Sequence, residues 1–324
     1  MNGQDIEKTR SNAIPLTVIT GFQGSGKTTL IHTVLEAHHG LHIIAIVSDL
    51  KSVSIAKDLV FCADSSCITL KNGCAWFQMS GDMMEAIKKA LSKFKNPDHI
   101  LIEAPGVADP GGITVSFTEK LVREHIRLDG IVSILDAVTF LETPEEIHLK
   151  LWQLAFSDLL VLNKVDLVSE QRVLKIKDWL DENLIRYRLA ESRFCNIPVE
   201  ILLGIQAINE MKDEATPNKN GFETWVYETE KILSIEIVRR IAAKLPTEIY
   251  RCKGIIYAIE SPDHMYELHV VGKRVDLVQG EEWGNLKKKT KIKAIGTTFL
   301  LNRLLLEIEF DKCIVKDPLN FRKS

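Results

Sequence analysis

Residues 21–29 combine glycines, a lysine and two threonines in an order suited to holding a phosphate group. The segment reads Gly-Phe-Gln-Gly-Ser-Gly-Lys-Thr-Thr and fits the pattern G-x-x-x-x-G-K-[ST]. Glycines let successive backbone N–H groups turn toward one anion, and a helix beginning at the lysine adds the positive end of its dipole. The apolar run at 16–20 predicts a strand before the segment, and 29–37 predicts a helix after it. The sequence therefore predicts a phosphate-binding loop, or P-loop.

Two side chains of this loop have the chemistry that a magnesium nucleotide needs. Lys27 is expected along the β- and γ-phosphates, and Thr28 offers its hydroxyl to Mg²⁺. The remaining residues expected to contact the nucleotide here are Gly21, Gln23, Gly24, Ser25, Gly26 and Thr29.

Acidic side chains follow two further predicted strands. The apolar segment 99–102 ends at Glu103, which is expected to hold Mg²⁺ directly or through water. Gly106 follows three residues later, as in the D-x-x-G turn of GTPases, where a backbone N–H senses the γ-phosphate. Asp49 follows the predicted strand at 42–47 and has two open interpretations: a contribution to the Mg²⁺ shell, or a helix N-cap or turn residue.

Residues 163–166 read Asn-Lys-Val-Asp after another predicted strand. This is N-K-x-D, in which the carboxylate of Asp166 accepts the N1–H and N2–H₂ donors of guanine, while Asn163 and Lys164 complete the motif. Adenine lacks that pair of donors and would leave a carboxylate unpaired. Together with the P-loop, the motif predicts binding of GTP in preference to ATP.

Three cysteines, Cys62, Cys67 and Cys74, lie close together in the sequence and have side chains that can ligate Zn²⁺. Their spacing is not C-x-x-C, and no fourth ligand is obvious. Cysteine is also among the most often buried residue types, so the pattern favours structural thiols over a metal site.

Strands and helices alternate from residue 14 to about 210, which predicts an α/β fold with a mostly parallel sheet and helices on both faces. The binding loops would then meet at the carboxyl ends of the strands. Residues 1–212 are expected to form this P-loop GTPase domain and 213–222 a polar linker. Residues 223–324 are expected to form a smaller α+β domain. Its predicted helices are 232–245 and 298–306, and its predicted strands are 253–260, 265–271, 274–279 and 291–296.

Composition narrows the class of protein. The 324 residues are 45% apolar and 26% charged with a net charge of −3, which gives no reason to expect nucleic acid or an anionic membrane as partner. The amino terminus lacks the apolar core of a secretory signal, and no apolar run is long enough to span a bilayer. A cytoplasmic protein with reduced thiols is the expectation.

Several ordered motifs resemble those of CobW-type GTP-binding proteins. Residues 21–30 are similar to the family's G-F-L-G-x-G-K-T-T-L, 103–110 to E-T-x-G-x-A-D-P, and 153–167 to Q-x-A-x-A-D-x-x-x-x-N-K-x-D-L. Near the carboxyl terminus, 245–254 resembles L-P-x-x-x-x-R-x-K-G and 295–296 matches a late I-G. The resemblance spans both predicted domains.

The resemblance implies a slow GTPase that uses GTP and Mg²⁺, binds Zn²⁺ or Co²⁺, and serves as a metallochaperone or activator for a metalloenzyme or corrinoid-dependent client. It also implies a nucleotide-dependent homodimer. The family's metal motif is G-C-x-C-C, whereas this chain has Gly-Cys-Ala-Trp-Phe at 73–77, so Cys74 is the one cysteine of the motif that remains. Cys62 and Cys67 could compensate together with Cys74, but their spacing does not require it. The acidic run N-E-F-G-E of the family is replaced by Ser-Asp-Leu-Lys-Ser at 48–52. Such a site should bind a transition metal more weakly.

Three functional hypotheses follow. The leading one is a GTP-hydrolysing chaperone or activator of a metalloprotein client. The alternative is a GTP-controlled docking or regulatory protein that has kept the nucleotide site and lost the metal cargo. A small-molecule kinase on the same scaffold is disfavoured by the guanine motif at 163–166.

Overall fold

The computed structural model divides into two compact units, which are described separately below. One lies within Ala13–Leu203, and the other is described over 222–315. The structure describes residues 13–37, 40–47, 66–69, 87, 91, 92, 94, 97–104, 125–142, 147–203, 222–297 and 303–315. Among these residues, no helix has the length and apolar character needed to cross a bilayer.

The first unit is built on a seven-stranded sheet in which every neighbouring pair of strands is parallel. The strand order is β3-β2-β4-β1-β5-β6-β7. The strands are β1 (Ile14–Gly21), β2 (Ile43–Val47), β3 (Ser66–Thr69), β4 (His99–Glu103), β5 (Ile126–Asp136), β6 (Leu159–Asn163) and β7 (Leu189–Glu191). Every residue of β2, β4 and β6 is buried, as expected for strands covered on both faces. The predicted α/β fold with a parallel sheet is confirmed.

Helices connect these strands and supply much of the apolar core. Those bounded within the described residues are α1 (Lys27–Glu36), α2 (Ile147–Ala155), α3 (Glu170–Asn183) and α4 (Val199–Leu203), and a 3₁₀ turn lies at Val165–Leu167. The longest, α3, begins after Ser169, whose hydroxyl accepts a hydrogen bond from the backbone N–H of Arg172 at 3.3 Å. Its residues Ile176 and Leu180 are fully buried against β6.

The strand order fixes where the functional loops meet. β1 lies between β4 and β5, so the loop that follows Gly21 is flanked by the ends of both neighbours. In the parallel register Ile19 pairs with Glu103, and Asp136 pairs with Asn163. Segments that are far apart in sequence therefore reach one edge of the sheet, where open α/β sheets bind ligands.

The second unit contains a five-stranded antiparallel sheet in the order β11-β10-β9-β12-β8. Its elements are β8 (Phe222–Thr229), α5 (Ile235–Ala243), β9 (Ile249–Tyr257), β10 (His264–Val271), β11 (Arg274–Glu282), β12 (Thr290–Thr297) and α6 (Arg303–Asp311). Apolar side chains from both helices and all five strands form one core. The predicted smaller α+β domain is confirmed.

Several element boundaries differ from the sequence-based expectations. The short strands β3 and β7 were not predicted, and neither was β8, which begins at Phe222, the last residue of the predicted linker. β9 begins at Ile249 instead of residue 253, because its first four residues are all buried and show no alternation. The final helix continues to Asp311, past the predicted end at 306.

An aromatic cluster anchors α6 to the sheet of the second unit. Phe310 is fully buried, and its ring centroid lies 5.6 Å from those of Trp225 and Tyr227. The Tyr227 hydroxyl also donates a hydrogen bond to the Asp311 carboxylate at 2.8 Å. This helix is therefore held by ring packing together with a polar contact.

Replacing Phe310 with alanine is expected to destabilise the second unit by about 3–5 kcal/mol, because a ring-sized cavity would open in its core. Urea unfolding monitored by tryptophan fluorescence measures the change. The matched control is Leu304→Ala on the same helix, where the side chain is 66% exposed and the expected cost is below about 1 kcal/mol. Equal effects of the two substitutions would contradict the assignment of Phe310 to the core.

Candidate functional site

Two glycines at the carboxyl end of β1 and the start of α1 are required by close approaches. Gly21 has φ 133°, and a Cβ there would lie 2.3 Å from the Ile134 carbonyl oxygen on β5. Gly26 has φ 115°, and a Cβ there would lie 2.6 Å from Asn163 Nδ2. Since L-residues with a side chain rarely adopt such φ values, both the backbone and the space demand glycine. The predicted P-loop thus has a physical reason for its first and last glycines.

The amino terminus of α1 faces this loop without a capping side chain. Gly26 occupies the N-cap position, no side chain caps the helix there, and the first turn has no acidic residue. The first intrahelical bond described runs from the Leu30 N–H to the Gly26 carbonyl at 2.9 Å. An uncapped helix start of this kind offers backbone N–H groups and a partial positive charge to an anion.

Lys27 is buried and folds back over the loop. Its Nζ donates hydrogen bonds to the carbonyl oxygens of Gly21 at 2.8 Å and Phe22 at 3.0 Å. The ammonium is therefore held by the loop that it is expected to serve, with its charge at the same end of the sheet as the start of α1.

Thr28 and Glu103 are brought together although they are 75 residues apart in sequence. The Thr28 hydroxyl lies 3.2 and 3.3 Å from the two carboxylate oxygens of Glu103, which is buried at the end of β4. A hydroxyl and a carboxylate are oxygen ligands of the type that Mg²⁺ prefers, so the donor set fits that ion. Asp49 and Gly106, the other residues predicted for this region, lie outside the described residues.

Asn163 links the end of β6 to the P-loop and to a second loop. Its Nδ2 donates to the Ser25 carbonyl oxygen at 2.9 Å, and its Oδ1 accepts the backbone N–H of Cys195 at 3.0 Å. Both bonds are buried, and together they use both ends of one amide. The side chain thereby fixes the spacing between the phosphate-binding loop and the chain that follows β7.

Lys164 makes a second connection from the end of β6 to the P-loop. Its backbone is left-handed, with φ 64°, and its Nζ donates to the Gly24 carbonyl at 2.8 Å and to Asp136 Oδ2 at 2.6 Å. Asp136 also accepts the Val138 N–H at 2.9 Å. The sequence gives no sign of this role for Asp136, because the contact depends on β5 and β6 being neighbours.

Asp166 is exposed in the 3₁₀ turn that follows Lys164. No hydrogen bond to its carboxylate is found from the other residues that the structure describes. The guanine-reading carboxylate predicted from N-K-x-D is thus accessible to a ligand.

The loop after β7 contains a left-handed turn that was not predicted from the sequence. Phe194 and Cys195 both have positive φ, 53° and 55°, and the backbone N–H of Cys195 is the donor to Asn163. The Cys195 thiol donates to the Gly26 carbonyl at 3.3 Å. Burial raises the pKa of this thiol to about 12, against a smaller opposing effect of the Lys164 charge. Neither phenylalanine nor cysteine signals a left-handed turn, so the sequence carried no usable sign of it.

The candidate transition-metal site cannot be built from the described residues. Among them, no three histidine, cysteine or acidic side chains form a group able to hold a metal ion. Cys67 lies in β3, whereas Cys62 and Cys74 lie outside the described residues. The cysteines described as free thiols, Cys195, Cys252 and Cys313, are all buried.

Comparison with known proteins identifies both units. Residues 15–185 match the family model described as CobW/HypB/UreG, nucleotide-binding domain, and residues 222–314 match the cobalamin synthesis protein cobW C-terminal domain. These matches confirm the resemblance inferred from the motifs.

Individual relatives are distant in sequence but similar in extent. The chain is 24% identical to the zinc-regulated GTPase metalloprotein activator 1 of Dictyostelium discoideum, over 94% of this chain and 80% of that protein. It is 27% identical to the zinc chaperone CobW of Sinorhizobium sp, over 87% and 92%. The Zn(II)-bound YjiA GTPase of E. coli is 22% identical, with a TM-score of 0.44 over 94% of this chain and 100% of that one. On the strength of the family model, which matches more than half of its residues, the chain belongs to the CobW/HypB/UreG family.

Proposed function

We propose that this protein binds and slowly hydrolyses GTP with Mg²⁺, and that its nucleotide state controls its action as a chaperone or activator of a metalloenzyme or corrinoid-dependent client. The observation that carries the proposal is the pair of connections from N-K-x-D to the P-loop. Asn163 and Lys164 bond the carbonyls of Ser25 and Gly24, so the guanine-reading and phosphate-binding segments form one structure. Relatives named as a zinc chaperone and a metalloprotein activator support the assigned role.

At the phosphate end, the protein's contribution is position and charge. Lys27 and the uncapped start of α1 place positive charge where the β- and γ-phosphates are proposed to lie. Thr28 and Glu103 are proposed to hold Mg²⁺, with Asp49 as a further candidate. When bound, Mg²⁺ would neutralise charge on the phosphate oxygens. Gly106 is proposed to sense the γ-phosphate through its backbone N–H.

At the guanine end, Asp166 provides selectivity. A carboxylate accepts two N–H groups from guanine and would be left unpaired by adenine. The exposed position of Asp166 supports this role, because the base can reach it without rearrangement of the core. The proposed partners are therefore guanine nucleotide and a protein client, with a nucleotide-dependent homodimer as the proposed assembly.

A second candidate function rests on the metal motif. Trp and Phe at 76 and 77 replace two cysteines of the family pattern, and neither side chain ligates a metal. A protein with this sequence could have kept its GTP switch and become a docking or regulatory protein without metal cargo.

Asp166→Asn is expected to lower GTP affinity by at least about a hundredfold and to raise affinity for xanthosine triphosphate. Xanthine carries a carbonyl at C2, which an amide N–H₂ can satisfy and a carboxylate cannot. Competition binding with GTP, xanthosine triphosphate and ATP measures the change. Asp178→Asn, an exposed acid on α3, is the matched control. Unaltered preference for GTP in the Asp166 variant would refute the guanine role of this carboxylate.

Glu103→Gln is expected to raise the Mg²⁺ concentration needed for half-maximal GTP hydrolysis by about 10- to 100-fold. The substitution keeps the shape of the side chain and removes the charge that attracts the ion. Hydrolysis rates are followed over a Mg²⁺ titration. Glu182→Gln, an exposed acid on α3, should behave as the unaltered protein does. A Mg²⁺ requirement identical in both variants would rule out Glu103 as a ligand.

Calorimetric titration with Zn²⁺ and Co²⁺, with and without GTP plus Mg²⁺, separates the two candidate functions. A chaperone that carries metal is expected to show a tight site that Cys74→Ala removes or that requires GTP. GTP binding with only weak, micromolar metal binding would instead favour the docking protein. Cys252→Ala is the matched control, since this thiol is buried in the second unit.

A further inference from the structure

A cavity of about 310 Å³ lies beside the first half of the P-loop. Phe22 and Gln23 form one wall, and α2 forms another through Lys150, Gln153 and Leu154. The end of β5 and the turn after it, including Phe140, complete the lining. Among the residues that the structure describes, the loop therefore borders an open cavity on this side.

Lys150 is the buried cation of this cavity. Only 4% of the residue is exposed, and its Nζ donates a hydrogen bond to the Phe140 carbonyl at 2.7 Å. The same Nζ lies 5.4 Å from the centroid of the Phe140 ring and 5.7 Å from that of Phe22. Both distances fall within the range of cation–π attraction, which strengthens when the cation is desolvated.

Phe22 is held from two sides by lysines. Its ring faces Lys150 of α2, and its carbonyl accepts the hydrogen bond from Lys27 at 3.0 Å. Gly21 is tightly packed against β5, where a Cβ would lie 2.3 Å from Ile134 O, whereas Phe22 borders the cavity. A shift of the loop at Phe22 would therefore carry with it the carbonyl that orients Lys27.

We propose that Lys150 is a positioning residue for the P-loop: it fixes the ring of Phe22, and through the Phe22 carbonyl it sets the position of Lys27. The contact between the Lys150 ammonium and the Phe22 ring holds the loop where it borders the cavity. Phosphate binding then depends on α2, a helix outside the nucleotide motifs. This inference rests on the proposed binding of GTP at the P-loop.

The test uses the full chain and Lys150→Met, which keeps the length and apolar contacts of the side chain and removes its charge. GTP affinity in the presence of Mg²⁺ is expected to fall about tenfold. Lys150→Arg retains a cation that can face both rings and should bind GTP within about threefold of the unaltered protein. Lys175→Met, at an exposed position on α3, is the matched control and should leave the affinity unchanged.

A double-mutant cycle with Phe22→Leu distinguishes positioning from general loss of stability. Lys150→Met is expected to change GTP affinity less than twofold when Phe22 is already leucine, because the ring it acts on is gone. The proposal would be overturned if the two substitutions changed GTP affinity by factors that simply multiply in the double variant. It would also be overturned if Lys150→Arg failed to retain GTP binding. If the unaltered protein does not bind GTP, the proposed function fails. The same cycle is then measured on unfolding of the nucleotide-free protein, where coupling is still expected and its absence overturns the inference.

Discussion

The site depends on one buried amide. Asn163 donates to the P-loop at Ser25 and accepts from the backbone of Cys195, so a single side chain spaces two loops that are 170 residues apart in the sequence. Gly26 lies so close to this amide that a Cβ would come within 2.6 Å of it. An unpaired buried amide costs free energy, so both loops must keep their positions for the group to remain satisfied. The segments proposed to bind phosphate and to recognise the base are thus parts of one hydrogen-bonded unit.

Around that amide, the charged groups follow the order of the strands. Lys164 and Asp136 meet because β5 and β6 are neighbours, and Thr28 meets Glu103 because β4 lies beside β1. A parallel sheet brings all of these strand ends to one edge, which allows segments of unrelated sequence to share one ligand. The second unit has a separate core of aliphatic and aromatic side chains.

The sequence was informative where a residue's type alone determines its chemistry. The glycines, Lys27 and Thr28 of the loop could be recognised because backbone conformation and phosphate chemistry permit few alternatives. Long apolar runs likewise identified β1, β4 and β6. The contacts of Lys150 and Asp136 could not be inferred, since they depend on which elements become neighbours in space.

Short or irregular elements were missed for local physical reasons. β3 and β7 have four and three residues, too few for a period to emerge, and the left-handed turn at Phe194 and Cys195 uses residue types that rarely adopt it. β8 follows directly on a polar, breaker-rich segment, so its start was assigned to the linker.

The protonation of the buried cysteines has a consequence for metal binding. Burial raises the pKa of Cys195, Cys252 and Cys313 to about 12 in each case, so these thiols stay neutral near pH 7. Zinc binds the thiolate, and at these positions the metal would have to displace a proton that the sulfur holds tightly. Cys195 would therefore be a poor ligand for a zinc ion that comes close to the P-loop. The Cys195 sulfur can therefore lie against Gly26 without drawing a stray metal ion to the P-loop.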